Sequence, residues 1–173
     1  MALTSRQFKI ATAVRSSVVA DTDLIAAIPA DQWRIQKRPY HRTQRWADGG
    51  HIVPMKWRNP PHENATLRMI CPILVAAVWT DEAGLTDEQE ARLGVQERIA
   101  DIFAWNGRTK SPAPMVALNS ALTGSAAFVF EQTFVEPGDS FMDSAFMAGL
   151  DFVSVVVNVQ IVAAKVDYST LGA

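Results

Sequence analysis

Apolar and polar residues alternate through "FVSVVVNVQIVAAKVD", from Phe152 to Asp167. With a period of two, Val153, Val155, Val157, Val159, Ile161 and Ala163 share one face, while Ser154, Asn158 and Gln160 fall on the other. This predicts a long β-strand with one core face, and its β-branched content favours the same backbone. Val157 is accordingly expected in the core and Asn158 outside it, so a carboxylate should be far more costly at 157 than at 158.

Helical spacing governs the start of the chain. Thr4 and Gln7 resemble a capping box, and Phe8, Ala11, Val14, Val18 and Val19 recur on one side to about Ala20. Asp21 or Thr22 can cap the short "DLIAAI", which Pro29 ends. The text then changes to short alternating segments around "DGG" between Gln32 and Arg58, which predicts a hairpin with turn glycines Gly49 and Gly50. "NPPHEN" breaks the chain. Ala65 to Thr80 is apolar on both faces and reads as an interior strand, with Pro72 requiring a bulge or an unpaired neighbour.

A second helix is expected from the Thr86 and Gln89 pair to about Trp105, burying Ala91, Val95, Ile99, Ile102 and Phe103, with Glu90, Glu97, Arg98 and Asp101 off that face. Past it, breakers predict a loop holding a short strand near Met115 to Leu118, and "AAFVFEQTFVE" reads as a strand ended by Pro137 and Gly138. "DSFMDSAFMAGL" suits one helical turn or an ordered loop. This order implies an α+β fold, with two main helices on one face of a largely antiparallel sheet and a long projecting hairpin arm over about residues 32 to 64.

Composition narrows the class without naming a function. The 173 residues, 49% hydrophobic and 20% charged, suit a single domain over the whole chain. Arg6, Lys9 and Arg15 interrupt the apolar residues at the start, which argues against a secretory signal. The longest uncharged apolar run, Met69 to Thr80, is too short for a membrane-spanning helix, so no membrane partner is expected. The single Cys71 makes an intrachain disulfide impossible and reads as a buried thiol. His41, His51 and His62 lack ligand spacing and read as surface residues. Short signatures for acyl transfer and nucleotide binding are missing as well, so no catalytic residue, metal or cofactor is assigned and the chain is not expected to be an enzyme.

Charge is more informative. Asp31 to Pro60 holds seven basic residues, Arg34, Lys37, Arg38, Arg42, Arg45, Lys56 and Arg58, against Asp31 and Asp48. That is a net of +5 in a chain whose total is −2. Trp33, Tyr40, Trp46 and Trp57 are interleaved with these charges, a mixture typical of interfaces. The candidate interface is therefore Trp33, Arg34, Lys37, Arg38, Tyr40, Arg42, Arg45, Trp46 and Trp57, facing an acidic surface such as that of Asp87 and Glu90. A solvated hairpin is the plain alternative, and the acidic group at a helix start is commonly just solvated. A sequence pI of about 5.9 weighs against a dedicated nucleic-acid binder.

The segments "IATAVRSSVVADTDLIAAIP", "TLRMICPILVAAVWTDEAGLTDEQEARLGVQERIADIF" and "VEPGDSFMDSAFMAGLDFVSVVVNVQI" resemble the tail terminator and tail completion (neck) proteins of tailed bacteriophages. The resemblance lies in element order and texture over most of the chain. It implies a homo-oligomeric ring, commonly a hexamer, that caps the tail tube, joins it to the head–tail connector and surrounds passing DNA without reading its sequence. The implied location is the virion tail or neck, with assembly in the host cytoplasm. Another neck, head-completion or adaptor role is the nearest alternative; a nucleic-acid-binding module or an unidentified enzyme would be a different class.

Overall fold

The computed structural model describes residues 6–36, 46–56, 68–79, 86–104, 112–117, 128–138 and 151–163. Its elements are α1 (Arg6–Val19), α2 (Thr22–Ala27), β1 (Arg34–Ile35), β2 (Gly49–Pro54), β3 (Arg68–Trp79), α3 (Thr86–Phe103), α4 (Ala113–Val116), β4 (Phe128–Pro137) and β5 (Asp151–Ala163). A short 3-10 turn, Ala30–Gln32, precedes β1. The strands form one sheet in the order β1-β2-β3-β5-β4, antiparallel except for the β1–β2 pair. The fold is α+β, as the order of patterns implies.

The closing strand is placed in the sheet interior. β5 pairs with β3 from Asp151 to Val162 and with β4 along its other edge. Its odd residues Val153 to Ile161 join Met69, Cys71, Ile73, Val75 and Ala77 of β3 in the main core. Ile10, Ala11, Val14 and Val18 of α1, Val95, Ile99 and Phe103 of α3, and Met115 of α4 cover that face. Both main helices thus lie on one side of the sheet, as the alternation of β5 demands.

Pro72 is accommodated without a bulge in β3, whose register with β5 is continuous. Opposite it, the Met55 amide donates to the Pro72 carbonyl at 3.0 Å. In an uninterrupted antiparallel pair, residue 72 would return a hydrogen bond to the Met55 carbonyl. Proline has no such donor. Gln7 of α1 supplies the bond instead, its Nε2 donating to the Met55 oxygen at 2.7 Å. The residue read as half of a capping box therefore completes the β2–β3 ladder. The sheet's one register shift lies in β4 between Phe130 and Gln132.

Several expectations are corrected. No hairpin turns at "DGG": Gly49 and Gly50 lie inside β2, which runs parallel to β1 and pairs antiparallel with β3. The segment near Met115 is the helical turn α4, started by Pro112 and Pro114, whose fixed φ suits a first turn. On α3, Ala91 is exposed and Arg92 takes the buried position, its guanidinium carbon 5.0 Å from the Trp79 ring centre, where a long side chain can bury its stem and set its charge over the aromatic face. The expectations for residues 139–150, for Thr4 and for the chain past 163 lie outside the described residues.

The reverse face of the sheet is also buried in part. Trp46, Val53, Leu74, Ala76, Val78 and Val156 form a second apolar cluster there. Asn158 lies on this face, opposite Pro72 and Phe134, with 1% of its surface exposed and neither amide atom hydrogen-bonded. The expected contrast between positions 157 and 158 is therefore replaced by burial of both. An unpartnered buried amide costs about 1–3 kcal/mol. Asn158→Val is expected to raise the denaturant midpoint, whereas Val157→Asp and Asn158→Asp should each lower stability by several kcal/mol. Destabilisation by Asn158→Val in equilibrium unfolding would show that the amide has a partner.

Candidate functional site

On either side of residues 37–45, which include Lys37, Arg38, Arg42 and Arg45, the chain is fixed by α1, β1 and β2. Trp33 is the anchor. Its indole Nε1 donates to the Ile28 carbonyl at 3.1 Å, and its ring is buried in the main core. Arg15 of α1 holds the same stretch, with Nε donating to the Trp33 carbonyl at 2.7 Å and Nη2 to the Ala30 carbonyl at 3.0 Å. A forked guanidinium can hold two carbonyls where a single-headed amine could not keep both directions fixed.

The paired glycines make the seat. A Cβ on Gly50 would overlap the Trp33 indole, so only a residue without a side chain allows the ring to lie on β2. Gly49 has φ +119°, which side-chain-bearing residues rarely adopt, and packs against Gln32. "DGG" thus encodes a close approach of two backbones.

On the opposite face of β2, His51 bridges the two ends. Its Nε2 lies 2.7 Å from the Ala47 carbonyl, which can only accept, so Nε2 carries the proton in the neutral ring. Nδ1 is then an acceptor for the Gln36 side-chain Nε2 at 2.6 Å. Trp46 stacks on the imidazole with centroids 4.6 Å apart and planes 15° from parallel. Burial holds the His51 pKa below its usual 6.5, the Ala47 carbonyl opposes this, and nearby Arg34 adds to the lowering. The expectation of a surface histidine is overturned at position 51; His41 and His62 lie outside the described residues.

The candidate interface residues therefore separate. Trp33 and Trp46 are buried on opposite sides of β2, as core anchors and not as exposed contacts. Arg34 is exposed, opposite His51 in the β1–β2 pair. Lys37, Arg38, Tyr40, Arg42, Arg45 and Trp57 lie outside the described residues. Asp87 falls in the first turn of α3, and Glu90 is exposed one turn later. With Glu97 and Asp101, also exposed, Glu90 lies along the outer side of α3 at helical spacing.

Arg98, on the same helix, pairs with Asp21 (Nη2 to Oδ2, 2.7 Å), and Asp101 adds a weaker attraction to its charge. Burial pushes the Asp21 carboxyl up, but the Arg98 hydrogen bond and the Leu24 and Asp23 amides outweigh it and hold it below the ordinary value. Asp21 is also the N-cap of α2, accepting from those amides. Cys71 is buried beneath the helices, and burial pushes its thiol up to about 11, with Arg6 opposing. It is kept from reacting as a thiolate.

Compared with protein-family models and with curated proteins, the chain matches none. Among the described residues no helix is long and apolar enough to cross a membrane, and no three His, Cys, Asp or Glu side chains are grouped to hold a metal ion.

Gly50 and Gly94 separate two uses of glycine. Gly50→Ala should displace Trp33 and lower unfolding free energy by several kcal/mol, towards the roughly 3–5 kcal/mol of deleting a buried tryptophan. Gly94→Ala, in α3 with open space around its Cβ position, should raise it by about 0.5–1 kcal/mol. Urea denaturation of the two variants beside the parent measures both signs.

Proposed function

We infer that this chain is a structural subunit of a tailed-bacteriophage particle, forming a ring that terminates the tail tube and joins it to the head–tail connector. The observation that carries the reading is the segregation of charge: +5 between Asp31 and Pro60, and an outer line of Glu90, Glu97 and Asp101 along α3. A ring is built from heterologous contacts, in which one surface of each copy meets a different surface of the next. Opposite charges on two separate parts of one chain suit that contact and disfavour like-to-like pairing.

Element order supports the same reading. An opening helix, a strand followed in sequence by the second long helix, and a long closing strand are what the resemblance to tail terminator proteins calls for. In such a ring the basic segment of one subunit docks on the α3 acidic line of its neighbour or on the adjacent tail ring, and arginines that face the lumen would accompany DNA without reading its bases. Binding and geometry are the whole task, and no catalytic step is part of it.

Replacing Arg38, Arg42 and Arg45 with Glu should turn that attraction into repulsion. On the proposed exposure of this segment in the free subunit, the expected result is a near-unchanged melting temperature, since exposed charges contribute little to folding, together with loss of rings in sedimentation and electron microscopy with tail components. High salt should weaken the parent's rings in the same direction. Normal rings with all three charges reversed would remove the basic segment from the interface. A subunit that stays monomeric with tail components under every condition would remove the ring.

A further inference from the structure

We propose that His51 is a proton-sensitive latch that closes the base of the basic segment: neutral, it ties Gln36 to Ala47, and protonated, it releases Gln36. The proposal is independent of the ring reading, because it rests on the two chain ends and the ring between them. Gln36 and Trp46 flank residues 37–45 directly, a stretch that includes Lys37, Arg38, Arg42 and Arg45. His51 touches both ends at once, through Gln36 Nε2 on one side and through Ala47 and the Trp46 ring on the other.

The geometry fixes what protonation does. The Ala47 carbonyl already takes the Nε2 proton, so an added proton must go to Nδ1. There it meets the Gln36 amide nitrogen, also a donor, at 2.6 Å. Two donors then face each other, and the acceptor that held Gln36 is lost. Among the described residues the new cation is also poorly compensated. Its cross-strand neighbour on β1 is Arg34, of like charge. On β3 it lies opposite Ala76, flanked by Leu74 and Val78, none of which is titratable. Asp48, immediately before β2, is exposed. His51 itself is 2% exposed, so water does not screen the charge in the closed form.

The direction with pH follows. The folded ring titrates below 6.5, whereas an opened ring recovers its ordinary value. Between the two, the open form binds a proton that the closed form does not, so opening is favoured as pH falls. One proton taken up corresponds to an opening constant that rises by up to about tenfold per pH unit. Above pH 6.5 the latch stays shut. The first backbone contact to feel it is the Gln36 amide, which donates to the Ile52 carbonyl at 2.9 Å.

Amide hydrogen exchange on the full chain between pH 7.5 and 5, corrected for intrinsic rates, reads this opening directly. The expected result is that the Gln36 amide loses protection by up to about tenfold per pH unit below 6.5, while amides at the centre of β5, such as Val157, keep theirs. His51→Gln, which cannot take up the proton, should abolish the slope. A ¹⁵N titration of the parent's imidazole provides a check that needs no variant and should show the Nε2–H form at pH 7.5. Three results would overturn the proposal. They are an Nδ1–H ring, equal slopes at Gln36 and Val157, which would tie His51 to global unfolding alone, and a ring that titrates with Gln36 still protected, which would mean the Gln36 amide turns its oxygen to the new proton.

Discussion

The antiparallel pairing of β3 with β5 is the contact on which everything else rests. All twelve residues of β3 are paired to β5, so a strand from the chain's end becomes the partner of one from its middle. β2 and β1 extend the sheet on the β3 side and β4 on the β5 side. Because the side-chain period is two, the register that places Val157 opposite Ile73 also sets every other residue of both strands beneath α1, α3 and α4. A slip of one residue would turn the whole valine series to the reverse face. Such a pairing closes a loop of more than seventy residues, and it is stable only because both strands are buried on their helix-facing side along their length.

Set against that sheet, the segment from Ile28 to Gln36 is fastened at several points. Trp33 is held by a carbonyl of its own stretch, by the absent side chain of Gly50 and, at its backbone, by Arg15. His51 does the equivalent work on the other side of β2, where a polar ring is tolerated because both nitrogens have partners. Asn158 lies on the same reverse face without such partners. One buried polar residue there is a satisfied joint and the other an uncompensated cost.

Charge organisation is the physical basis of the proposed function. Lys37, Arg38, Arg42 and Arg45 fall in sequence between the anchored Gln36 and Trp46, and Arg98 of α3 is paired with Asp21. For the proposed ring, opposite charges on separate parts of one chain leave each for the neighbouring copy. This is the condition for head-to-tail association, and it requires rigid roots on both surfaces: α3 on the sheet, and Trp33 in the core.

Much of the fold was legible in the order of residues. The alternation of β5, the two-sided apolar run of β3 and the helical spacing in α1 and α3 each state a period and a buried face, since backbone geometry alone converts spacing into sidedness. A cap at Asp21 or Thr22, of which the fold uses Asp21, and Cys71 as a buried thiol were also readable from local context. What the sequence could not decide was which element covers which. "DGG" reads as a turn because two glycines permit one; that they make room for Trp33 depends on a tryptophan seventeen residues earlier packing onto β2. Trp33 and Trp46, Ala91, Asn158 and His51 depart from their expected places for one reason. Burial of an aromatic, an amide or an imidazole is set by neighbours distant in sequence, and only the assembled sheet, with a cluster on its reverse face as well as a core beneath its helices, decided where those side chains went.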